Sequence, residues 1–82
     1  MKTFVAICQD KSFSGGWLQS MNWAMECVRY DLSSVVKVLA VRAGERQGRV
    51  VAEFTDDGVR MIPDGRCVSL RKLRKAMHDS KI

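Results

Sequence analysis

Apolar residues along this chain fall first in a short run, then at helical spacing, then in alternation, and finally at helical spacing again. Thr3 to Cys8 is an almost continuous apolar stretch of strand formers, which predicts a strand covered on at least one face. Asp10 to Gly16 (Asp-Lys-Ser-Phe-Ser-Gly-Gly) interrupts it with loop chemistry, and its serines are candidate N-caps for the element that follows. From Trp17 to about Leu32 the spacing is helical. At about 100° per residue, Trp17, Leu18, Met21, Ala24, Met25, Val28 and Leu32 share an arc of about 120°, which predicts a core-facing helix with Gln19, Asn22, Glu26 and Arg29 toward solvent. Trp23, Cys27 and Tyr30 recur at i, i+4 and i+7 along a separate flank.

Val35 to Ala43 is β-branched and apolar apart from Lys37, and Arg49 to Phe54 alternates, so both read as strands joined by a Gly44–Gly48 hairpin. Asp56-Asp57-Gly58 turns the chain into a short strand over Val59 to Ile62, and Pro63-Asp64-Gly65 ends it. Ser69 is placed to cap a last helix in which Leu70, Leu73 and Met77 share one face, with Arg71, Arg74, Lys75 and His78 opposite and Lys72 at the margin. The predicted fold class is α+β, a single domain over residues 1–82 in the order β-α-β-β-β-α. An antiparallel sheet of about four strands is expected to pack with two helices.

Charge changes this picture from a fold to a surface. Residues 1–65 hold eight basic and eight acidic side chains, whereas residues 66–82 carry Arg66, Arg71, Lys72, Arg74, Lys75 and Lys81 against Asp79, so the whole net charge of +5 lies at one end. Such an element is the electrostatic footprint of a protein that binds an anionic surface, nucleic acid first among them. Arg71 and Lys72 fall in the first helical turn, where positive charge opposes the helix macrodipole by a few tenths of a kcal/mol, about 0.3 each. Arg66, Arg71, Lys72, Arg74 and Lys75 are therefore the candidate anion and nucleic-acid contacts. The Trp23, Cys27, Tyr30 flank is the second candidate: it needs cover, from Phe13 in the preceding loop, from the last helix, or from a partner or second copy.

Other chemistry is weaker. The Ser12-Phe-Ser-Gly-Gly16 segment lies between a strand and a helix but lacks the Lys-Ser/Thr pair of a phosphate-binding P-loop. Cys8, Cys27, Cys67 and His78 have no short zinc spacing, and a Cys67 and His78 pair has no orienting residue, so neither a metal nor catalysis is expected. Asp56, Asp57 and Asp64 sit in turns, where aspartate is locally favoured. Three cysteines, an apolar N-terminal run too short for a signal peptide, and no stretch of about 20 apolar residues lead to an expectation of reduced thiols and a cytoplasmic protein.

Residues 16–82, in the order helix, three strands, helix, with Arg71, Lys72 and Lys75 at the start of the final helix, resemble a double-stranded RNA-binding domain in element order. The resemblance implies phosphate contacts from those three residues. The chain departs from that pattern in its extra initial strand and in having only Gly65 where a glycine-rich approach would lie. The expected function is a small basic non-enzymatic module without cofactors, engaging nucleic acid or an acidic protein surface. The alternative is a stoichiometric inhibitor or adaptor, of phage or mobile-element type, docking on a nucleic-acid-handling complex.

Overall fold

The computed structural model describes residues 2–9 and 11–79, with the Asp79 side chain outside that description; Asp10 and Lys81 also lie outside it. The fold is α+β. Its elements are β1 (Lys2–Cys8), β2 (Lys11–Gly15), α1 (Trp17–Tyr30), β3 (Val36–Arg42), β4 (Gln47–Thr55), β5 (Gly58–Met61), β6 (Cys67–Ser69) and α2 (Leu70–Asp79). The sheet is antiparallel throughout, in the order β2-β1-β3-β4-β5, with β6 also paired to β4.

Two strands depart from the sequence reading. Lys11 to Gly15, expected as loop, returns along β1 with Phe13 opposite Ala6 and Gly15 opposite Phe4. Gln9 begins the reversal at a φ of 58°, in the left-handed region. The serines of that segment therefore belong to β2. The N-cap of α1 is Gly16, whose N–H donates to the Gln19 side-chain carbonyl at 3.3 Å.

The second addition is β6. β5 pairs with Ala52 to Thr55 and β6 with Gln47 to Arg49, so the two short strands lie along one edge of β4 and are interrupted between Ile62 and Arg66. Across from this break β4 carries a bulge: Val38 pairs with Ala52 but Leu39 with Val50, leaving Val51 as the extra residue. The break is stitched to the bulge by Ile62 N–H donating to the Val51 carbonyl at 2.9 Å and Val50 N–H to the Arg66 carbonyl at 3.4 Å. Gly65 lies so close that a Cβ there would overlap the Val50 carbonyl oxygen, which explains glycine at this position.

Alternation along the strands divides the core in two. On one face Ala6, Cys8, Val36, Val38, Ala52 and Phe54 are buried under α1. On the other, Val5, Ile7, Leu39 and Val41 meet Val50, Val68 and the α2 residues Leu70, Leu73 and Met77. The helices thus cover opposite faces of one sheet.

The buried line of α1 differs from the predicted arc. Ser20, Ala24 and Val28 are its buried residues, with Met21, Trp23 and Cys27 packed beside them, whereas Leu18 is 70% exposed and Trp17, Met25 and Leu32 are also exposed. Ser20 faces inward because its hydroxyl donates to the Phe4 carbonyl at 3.0 Å, satisfying the polar group while its small size lets the helix approach β1.

Candidate nucleic-acid interface

α2 is built as the sequence predicts. Its apolar side rests on the sheet, and the Ser69 hydroxyl accepts from the Lys72 backbone N–H at 3.4 Å, the N-cap contact. Arg71, Lys72, Arg74 and Lys75 are exposed. Arg74 also reaches across to β2, where its guanidinium donates to Ser12 Oγ at 3.2 Å. Among the described side chains, the ion pairs join Arg29 to Glu26 at 3.4 Å and Lys37 to Glu53 at 4.0 Å, and none involves a cation of α2. The helix therefore offers its positive charge to solvent. Arg66 is exposed too, but it precedes β6 and is separated from the helix by that strand.

The aromatic flank divides. Phe13 of β2 stacks on Trp23 with ring centroids 6.0 Å apart, and both Trp23 and Cys27 pack against the α1-side core. Only Tyr30, at 88% exposure, stands in solvent. Trp23, Cys27 and Tyr30 therefore do not form one open stripe, and the cover over the first two comes from within the chain. Trp17, Leu18 and Met25 are the other large apolar residues that α1 exposes.

The three cysteines are free. Burial, reinforced by the neighbouring Cys8, pushes the Cys27 thiol up to about 11 from 9.0, so it stays protonated near neutrality. Cys67 is exposed, opposite Arg49, and borders a depression with Lys72 and Leu73 of α2, the helix that carries the exposed His78. Among the described residues no three His, Cys, Asp or Glu side chains are close enough to hold a metal ion.

A depression of about 470 Å³ joins Lys72 and Leu73 of α2 to Gln47 and Cys67 at the strand edge, and two further concavities lie nearby. One, of about 510 Å³, lies between α2 and the strand ends and is lined by Gln9, Val35, Lys37, Leu73 and Met77. The other, of about 420 Å³, lies toward the far side of the sheet and gathers Lys2, Arg42, Glu45, Gln47, Arg49 and Cys67. These cations are not candidates from sequence, because they belong to three different strands within a stretch of zero net charge.

No match to this chain is found among protein families, curated proteins or solved structures. The likeness in element order to a double-stranded RNA-binding domain also leaves β2 and β6 unaccounted for. No helix among the described residues is long and apolar enough to cross a membrane.

Proposed function

We propose that the protein is a small non-enzymatic binding module of the cytoplasm that engages nucleic acid through phosphate contacts from α2. The observation that carries this reading is the set of four exposed cations, Arg71, Lys72, Arg74 and Lys75, on a helix seated by its opposite side and without an ion-pair partner among the described side chains. Two of them oppose the macrodipole in the first turn, so helix stability does not account for their presence. Phosphate contacts of this kind position a protein on a backbone without reading bases. Binding is then strongly salt-dependent. Replacing all four with Gln is expected to reduce the magnitude of the log K against log[salt] slope by about 0.7 to 0.9 for every phosphate no longer neutralised. A variant that titrates labelled duplex DNA and RNA like the parent at every salt concentration would remove this reading.

The exposed Leu18 and Met25 on α1 favour a second reading, an inhibitor or adaptor that docks on a nucleic-acid-handling protein complex. Retention of a defined protein partner after nuclease treatment, abolished by changing Leu18 and Met25 to Ser, distinguishes it from direct nucleic-acid binding.

A further inference from the structure

β1, β3 and β4 bring three cations together on the α1 side of the sheet, just beyond the end of that helix. Phe4 meets Trp17, the first residue of α1, edge to face at 5.0 Å, and Lys2 lies two residues further along the same strand face. Lys2 is directly opposite Arg42, and Arg49 is opposite Ala40, hence diagonal to Arg42. Directly opposed positions place Cβ atoms about 4.5 to 5.5 Å apart, where like charges destabilise a sheet. An acid at either position would have relieved this. Glu45 borders the same depression, yet no ion pair among the described residues joins it to Lys2, Arg42 or Arg49. The ground between the cations is Ala40, Gly48 and Gln47, and aromatic side chains, Phe4 opposite Ala40 and Trp17 against Phe4, stand at its border rather than at its centre.

We propose that Lys2, Arg42 and Arg49 form a second phosphate-binding surface, and that the protein bridges two segments of nucleic acid, one on each side of its sheet. A protein partner is disfavoured because such interfaces are anchored by large aromatic or aliphatic residues, and this platform has none at its centre. Closely spaced cations over small and neutral residues instead suit a phosphate backbone. α2 packs on the opposite sheet face, so the two sets of cations face away from each other and adjoin around the sheet edge, where Gln47 and Cys67 share a depression with Lys72 and Leu73. The bridging half of the proposal rests on the reading of α2 given above; the platform itself stands on separate residues.

Bridging is read by capture of a free labelled duplex on beads carrying an unlabelled one, with single-duplex affinity measured in parallel by anisotropy. The parent captures the free duplex. The triple variant Lys2→Gln, Arg42→Gln, Arg49→Gln is expected to melt no lower than the parent, to bind a single duplex through α2 with the parent's salt slope, and to capture none. Capture by that variant at the parent's level overturns the proposal, and it also detects bridging that arises from self-association through α2 alone. Capture undiminished in the variant lacking the four α2 cations overturns bridging between the two sides and the α2 reading together. The platform has an independent readout in exposed Cys67, opposite Arg49. Because Cys67 also shares a depression with Lys72 and Leu73, the readout is taken in the variant lacking the four α2 cations: duplex should slow Cys67 alkylation there, and an unchanged rate overturns the second surface.

Discussion

α1 and α2 cover opposite faces of the same sheet and are held to it by different means. α1 presses small residues, Ser20 and Ala24, fully out of solvent and flanks them with Trp23 and Cys27. No described residue of α2 is fully buried; it is seated by the half-buried Leu70, Leu73 and Met77. The first helix is thus part of the folding core, and the second is a platform for side chains that contribute little to folding. Close packing leaves α1 little freedom to change, whereas the outer face of α2 is free to be set by what it contacts.

The largest expected break in this contrast comes from Trp23. Trp23→Ala should destabilise the fold by about 3 kcal/mol in denaturant melts, because it removes a packed aromatic and uncovers Phe13. Tyr30→Ala, on the same nominal flank, should stay within about 0.5 kcal/mol. Equal losses at the two positions would show that the flank acts as one surface after all. Next is Ser69→Ala, which removes the N-cap of α2 and should lower stability by about 1 kcal/mol while weakening duplex binding through fraying of the helix. The smallest effect is expected from the double change Arg71→Gln and Lys72→Gln, which relieves charge at the positive end of the helix and should raise stability by about 0.5 kcal/mol in low salt. A fall in stability instead would mean that these cations hold α2 to the domain.

What can be read from sequence follows from how local each signal is. Leu70, Leu73 and Met77, the Ser69 cap and the basic face all lie within one short segment, and α2 is legible in full. The β3 and β4 strands announce themselves by alternation and β-branching. Lys-Ser-Phe-Ser-Gly offers a single large apolar side chain, so β2 becomes a strand only through its ladder to β1 and the contact of Phe13 with a helix residue. The buried line of α1 escapes the helical spacing for a similar reason: Ser20 counts as polar until the Phe4 carbonyl, sixteen positions earlier, is placed beside it. Lys2, Arg42 and Arg49 meet only through strand order and register, and no window along the chain contains all three.

The interrupted edge beside β4 bears on how the protein behaves when crowded. An open strand edge with exposed apolar side chains, such as Val59 and Met61 here, is a template on which another chain can add and begin an aggregate. This edge is broken into pieces of four and three residues, with Pro63, which has no N–H to offer, in the gap and Gly65 holding that gap against the bulge. A foreign strand would find no continuous row of donors and acceptors to follow. The same irregularity that carries the chain from β5 to the basic helix therefore guards the sheet against growth from this side.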